Sequence, residues 1–338
     1  MKIIAKKKMM VKRLRFCFLG FISMFLIAPE ANAQDPAFSQ FYANPLYLNP
    51  AFTGTSMKGC PRVNLNFRDQ WPGIRAYMTT SASYDQAIDA IEGGFGVLIS
   101  DDRSGAGSFR IQQASLLYSY HLPVNNSFAI NTGFEASYRM VNVGWENLKF
   151  GDMIDPTYGF VKNTQEDIDN YEDGVSYPDF STGFIGYSEN YFFGFAAHHL
   201  ATPNQSFMGT ESPLPTKYTF HAGGKFPLFK YSNVETTISP NFLYQQQQDF
   251  QQFNYGLYVT RGPIVGGLWT RHSDKNIDSY ILLVGLIQET FKFGYSYDIT
   301  ASNLGVDNTL GAHEVSFSMY LPCRSKVKSF NTINCPQF

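Results

Sequence analysis

The chain has 338 residues, of which 16% are aromatic and only 16% charged, with a formal net charge of −2. Soluble domains are typically about 25% charged, so part of this surface suits a solvent other than water. The lack of a basic excess excludes nucleic acid as a partner, and beyond residue 33 the longest apolar run, Ile281 to Ile287, falls far short of the ~20 residues that a spanning helix needs.

Residues 1–33 read as a secretory signal peptide. Lys2, Lys6, Lys7, Lys8, Lys12, Arg13 and Arg15 precede the apolar stretch Phe16 to Ala28, and Ala31-Asn32-Ala33 offers a small-x-small cleavage site. Cys17 lies inside the apolar core and not at the cleavage point, which argues against a lipoprotein. Removal of this segment leaves 19 basic against 27 acidic residues, a net charge of −8.

Residues 34–60 form an aromatic, proline-cut segment that opens with QDPAFSQFYANPLYLNPAFTGT. Pro36, Pro45 and Pro50 preset φ and hold the preceding residue extended, so little entropy is lost when the segment docks. Phe38, Phe41, Tyr42, Leu46, Tyr47, Leu48 and Phe52 supply area to bury. Together with Pro45 and Pro50 they make either a plug inside a barrel or a docking element for a periplasmic partner, emerging just below the barrel mouth.

Residues 61–322 carry the strand signal. From Phe128 to Met140 every second residue is apolar, aromatic or Thr, while the interleaved set is Ala129, Asn131, Gly133, Glu135, Ser137 and Arg139. Thirteen alternating residues exceed a usual globular strand and are close to the ~9–11 that cross a bilayer at a tilt. The same alternation recurs in Phe291 to Thr300, Glu314 to Leu321 and Val234 to Tyr244. It predicts about fourteen strands, starting near Arg62, Tyr77, Gly94, Phe109, Phe128, Asp179, Tyr191, Lys217, Val234, Phe253, Ile264, Asp278, Phe291 and Ala312.

Tight connections at Leu122 to Asn126, Ser188 to Asn190, Arg261 to Pro263 and Gln288 to Thr290 contrast with long ones at Asn142 to Pro178, His198 to Thr216 and Ala301 to Gly311. Only Asp85 to Glu92 is longer than a turn on the tight side should be. Short turns at one end, long loops at the other and an even strand count predict an all-β, antiparallel outer-membrane barrel with both termini periplasmic. A soluble β-sandwich also alternates, but the connection lengths disfavour it. Glu135, Arg139, Glu235, Lys292, Asp298 and Glu314 are then expected to face the lumen.

The remaining chemistry is sparse. His198-His199 is the only His pair, and neighbouring strand residues point to opposite faces, so a shared metal is not expected. Glu135 and Arg139 share a face about 13 Å apart along a strand at ~3.3 Å per residue, too far for a direct pair and suited to a cross-strand network. The loop Asn163 to Asp173 carries Glu166, Asp167, Asp169, Glu172 and Asp173, a weak calcium candidate whose spacing does not follow an EF-hand. No G-x-S-x-G, H-E-x-x-H, P-loop or Cys-x-x-Cys occurs, so neither catalysis nor a cofactor is expected; His199, Asp152 and Asp155 are the loop residues a hydrolase would use.

Residues 323–338 form a tail with Cys323, Cys335 and the basic Arg324, Lys326 and Lys328. With Cys60 they make three thiols in an oxidising compartment. Loop-closure entropy favours Cys323 with Cys335, while barrel closure, which sets strand one beside strand fourteen, leaves Cys60 open as the alternative partner.

The opening stretch resembles the mature N-terminus of the PorP/SprF family of type IX secretion outer-membrane proteins. The resemblance continues in order through RDQWPGI (68–74), SASYDQ (81–86), FGDMIDPTYGFV (150–161), PDFSTGFIGYS (178–188), FGFAAHHL (193–200), TTISPNFLYQQQQDFQQFNYGLYV (236–259), GPIVGGLW (262–269), FKFGYSYDIT (291–300), AHEVSFS (312–318) and CRSKVKSFNTINCPQF (323–338). Asp69 departs from the expected Asn of that block. The resemblance implies a non-enzymatic outer-membrane component of type IX secretion or gliding motility. Its implied partners are periplasmic ring proteins, including the ring lipoprotein, or one very large secreted adhesin that it helps export and anchor through a C-terminal sorting domain. A porin-like diffusion channel is the alternative.

Overall fold

An alternating strand satisfies its backbone only by pairing on both sides, and in lipid only a closed sheet leaves no edge. The computed structural model describes residues 35–56, 59–125, 127–155, 157–160, 164–165, 172–207, 209–228, 235–273, 276–301 and 309–322. Fourteen strands close into an antiparallel barrel. They are β1 (Arg62–Gln70), β2 (Tyr77–Ile88), β3 (Gly93–Ser104), β4 (Phe109–Asn125), β5 (Phe128–Val143), β6 (Gly174–Ser188) and β7 (Tyr191–His198), then β8 (Lys217–Gly224), β9 (Thr236–Gln247), β10 (Phe250–Arg261), β11 (Ile264–Ser273), β12 (Asn276–Ile287), β13 (Phe291–Thr300) and β14 (Ala312–Tyr320).

Each strand pairs with the next, and β1 closes on β14 from Arg62 opposite Tyr320 to Gln70 opposite Ala312. The β8–β9 seam is paired from Lys217 opposite Gln247 to Gly223 opposite Asn241. Among the described residues no helix is long and apolar enough to cross a membrane.

The two faces separate as the period of two requires. On β5, Phe134, Tyr138 and Met140 are exposed outward while Glu135 and Arg139 are buried inward. Outward aromatics pair across strands: Phe134 stacks on Phe180 at 5.9 Å and Phe195 on Tyr218 at 6.0 Å. Such pairs are the units that stabilise a sheet, and an aromatic exterior is what a bilayer interface accepts.

Strand β6 begins at Gly174 and takes up Val175 to Pro178, which the sequence pattern assigns to a loop. Pro178 sits within the ladder opposite Tyr138. Val143 N–H donates to Asp173 O, so in the same register the Tyr138–Pro178 pair falls at a non-hydrogen-bonded position, where the missing N–H of Pro178 points away from β5 and the proline is tolerated. The suspiciously long connection at Asp85 to Glu92 shrinks to a short turn, because β2 continues to Ile88 and Glu92 adopts the left-handed conformation that reverses the chain.

Of the six charges expected in the lumen, Glu135, Arg139, Lys292, Asp298 and Glu314 are buried there. Glu235 is not: the ladder starts at Thr236 opposite Arg261, so Glu235 lies on the rim and is exposed. The expected signal peptide, Glu166, Asp167, Asp169, and the tail with Cys323 and Cys335 lie outside the described residues.

Candidate functional site: the occupied lumen

The N-terminal segment, expected as a plug in the barrel or a docking element for a periplasmic partner, packs against inward-facing residues of the barrel. Each Asn-Pro pair breaks the chain into a short turn: Asn44 and Asn49 precede Pro45 and Pro50, which open a one-turn helix, Pro45–Leu48, and a 3-10 turn, Pro50–Phe52. Proline is suited to the first helical position because its missing N–H has no intrahelical partner there. Asn49 is extended and its Oδ1 accepts from the Ala51 N–H at 2.9 Å, capping the turn. Eight of the nine residues expected to dock, Phe38, Phe41, Tyr42, Pro45, Leu46, Leu48, Pro50 and Phe52, are buried, and Tyr47 is half-buried.

One wall receives the segment through glycines. A Cβ on Gly133 would stand 2.2 Å from Ala51 N, one on Gly183 2.2 Å from Asn49 Oδ1, and one on Gly94 2.4 Å from Thr53 O. Real Cβ atoms do not approach so closely, so these positions on β5, β6 and β3 admit the segment only as glycine. There Asn49 Nδ2 donates to the ladder carbonyls of Phe184 and Phe195 at 3.1 and 3.2 Å and lies 3.1 Å from His221 Nε2. Phe52 stacks on the His221 ring at 5.3 Å, and Ser119 Oγ donates to Thr53 O at 2.6 Å.

The other wall holds it with charge. Glu314 accepts the backbone N–H groups of Ser39 and Gln40 at 2.6 and 3.0 Å. Ser39 Oγ donates to Asp298 at 2.6 Å and accepts from Arg271 Nη2 at 2.6 Å. Arg68 pairs with Asp298 at 2.8 Å and with Glu314 at 3.2 Å, and Arg271 with Asp298 at 3.0 Å. Two guanidinium groups against two carboxylates leave the buried cluster neutral, the condition under which charge is tolerated away from water. Beside it, Phe41 meets Trp269 at 5.5 Å.

A second anchor sits at the downstream end of the segment. Arg62 pairs with Asp85 through Nε and Nη2, both at 2.9 Å, and Asp85 Oδ2 also accepts the Gly54 N–H at 2.8 Å. The anchors Arg68, Arg271, Arg62 and Asp85 and the wall glycines are site residues that alternation alone does not single out. Their only mark in the sequence is small or charged side chains at inward parity.

The other expected residues are placed as follows. His199 adopts φ +60° just beyond β7; its Nδ1 lies 2.5 Å from Asp179 Oδ2, and Arg139 Nη1 lies 3.1 Å from its ring nitrogens. Glu135 accepts from Gln113 at 3.0 Å and stands 4.0 Å from His198 Nδ1. Glu135 and Arg139 thus belong to one cross-strand network with both histidines. Asp152 accepts from the Gln165 N–H and from Thr164, which holds its carboxyl below the usual carboxylate range. Asp155 accepts from Thr157 and Tyr158 within its own loop.

Glu172 and Asp173 are exposed, and among the described residues no three His, Cys, Asp or Glu side chains converge on a metal-sized position. Cys60 is disulfide-bonded, with a partner outside the described residues. The expected pair, Cys323 and Cys335, lies outside the described residues, as does Cys17.

Residues 30–319 match the family described as type IX secretion system membrane protein PorP/SprF. The chain belongs to the PorP/SprF family. Solved structures with a similar fold include the KdgM porin (TM-score 0.36, 8% identity, 77% of this chain and 99% of that one). Two others are from Acinetobacter baumannii: the outer membrane protein Omp33 (TM-score 0.41, 8% identity, 78% and 98%) and CdiB (TM-score 0.44, 8% identity, 77% and 60%). No curated protein matches the chain. Membership of the PorP/SprF family and the closed barrel make this an outer-membrane protein of the type IX secretion system, a secretion component and not a member of an enzyme class.

Proposed function

We propose that this PorP/SprF protein is a non-enzymatic outer-membrane anchor and export component. It helps secrete, and then holds at the cell surface, a large adhesin bearing a C-terminal sorting domain, or couples the barrel to the periplasmic secretion ring. The observation that supports this reading over a diffusion channel is the occupied lumen. Within the stretch that carries the densest family resemblance, Pro36 to Thr55 supply the segment held in the barrel interior on both a glycine wall and a charged wall. A porin needs that space for water and solute.

Deletion of the gene tests the proposal through the secreted and surface-exposed proteome. Loss of one surface protein supports a dedicated adhesin, and a general secretion defect supports coupling to the ring. An unchanged proteome refutes both. Single-channel recording of the purified protein separates the alternative: the occupied lumen predicts a closed baseline, and a steady open conductance would favour the channel.

A further inference from the structure

Each anchor of the lumenal segment falls at a definite depth. Arg68, Arg271 and Asp298 lie two residues before the ends of β1, β11 and β13, and Glu314 two residues after the start of β14. All four of these strand ends belong to the end of the barrel that carries the connections 144–173, 199–216 and 301–311. The second anchor lies at the opposite end: Arg62 is the first residue of β1 and Asp85 is close to the end of β2. Arg62 and Arg68 share a strand and are six residues apart, about 20 Å at ~3.3 Å per residue. Gly54 and Phe52 are bound near the first and Ser39 near the second.

Upstream of Ser39 the chain stays at the long-loop end. Tyr47 OH donates to Pro36 O at 2.8 Å, and the Lys217 ammonium, on the first residue of β8 at that same end, lies 5.8 Å over the Tyr47 ring. Burial fades in the same direction, from buried Phe38 to half-buried Ala37 and Pro36.

We infer that the N-terminal segment is threaded through the lumen: it enters from β1 at the short-turn end and leaves at the long-loop end at Pro36–Ala37. This reverses the expectation of an upstream end on the short-turn side. It also orders any release. Force applied at the long-loop mouth loads the four-charge clamp on Ser39 and Gln40 first and the Asp85 latch on Gly54 last. A force from the short-turn side loads the latch first.

Cysteine accessibility tests the threading. Ala37→Cys is compared with Ile74→Cys, exposed on the β1–β2 connection at the long-loop end, and Glu189→Cys, exposed on the β6–β7 turn. Whole cells and permeabilised cells are treated with a membrane-impermeant maleimide, the signal of the unsubstituted protein is subtracted, and folded barrel is confirmed by heat-modifiable mobility. The expected result is that Ala37→Cys gains label under the same condition as Ile74→Cys and not that of Glu189→Cys. Labelling that follows Glu189→Cys overturns the inference. Labelling only after denaturation overturns it too, because Ala37 would then lie at neither mouth. Pro36→Cys repeats the test at an independent site should Ala37→Cys fail to assemble.

Discussion

Gly133 offers the sharpest test of how the segment is seated. Gly133→Ala adds one methyl group, and its ideal position lies 2.2 Å from Ala51 N, 2.3 Å from Pro50 C and 2.5 Å from Pro50 O. All three are backbone atoms, so no side-chain rotation relieves the contact. Either the segment or β5 must move by roughly 1 Å to reach ordinary van der Waals separation. Overpacking of this kind costs about 1–3 kcal/mol, set against a gain of up to about 1 kcal/mol for replacing glycine within a strand.

The unseated population then rises about 5- to 150-fold if the overpacking is felt in full. Limited proteolysis within residues 36–56 reads that population directly, since cleavage follows the open fraction when opening and reclosing are fast. Gly266→Ala is the matched control, because nothing lies within 4 Å of a Cβ at that position. The reasoning is refuted if Gly133→Ala forms a heat-modifiable barrel whose segment resists protease as well as that of the Gly266→Ala protein.

Three further outcomes follow from the same geometry. Asp298→Asn removes the carboxylate that Arg68 and Arg271 share, leaving Arg68 its Glu314 pair, and should cost about 3–5 kcal/mol, seen as a lower thermal midpoint and faster cleavage upstream of Phe41. Asn49→Ala removes the cap on Ala51 and two donations to the β6–β7 ladder, and should cost about 1–3 kcal/mol, read as faster hydrogen exchange at the Ala51 amide while β14 amides keep their protection. Non-reducing peptide mapping should recover Cys60 in a cross-linked peptide with Cys323 or Cys335; recovery of Cys60 as a free thiol would contradict the structure.

The barrel itself was legible because its rule is local. Strand starts at Arg62, Tyr77, Phe109, Phe128, Tyr191, Lys217, Ile264, Phe291 and Ala312 coincide with the alternation, and parity alone turns Glu135, Arg139, Lys292, Asp298 and Glu314 inward. Where the local rule has an exception, the expectation slipped. Pro178 reads as a strand limit yet sits in the β5–β6 ladder, and Glu235 has inward parity yet lies one residue outside the ladder. Pairing partners were beyond reach for a different reason. Arg68 and Asp298 are 230 positions apart and meet only because β1 closes on β14, so their contact depends on barrel register, which parity does not set.

The lumenal segment shows the same division more sharply. Its prolines and aromatics announce that it docks, but the choice of wall is encoded elsewhere. Gly94, Gly133 and Gly183 look like unremarkable small residues of inward faces, and only with the segment in place do they become the vacancies that fit Asn49 to Thr53. Those glycines lie on β3, β5 and β6, whereas the clamp on Ser39 and Gln40 comes from β1, β11, β13 and β14. The two sets of contacts therefore lie on different arcs of the barrel wall, and the segment is held by both. Clearing the lumen requires the backbone to leave its glycine seats and the clamp to surrender Ser39, so the two walls act as a joint lock whose removal by double substitution should exceed the effect of either single change on conductance.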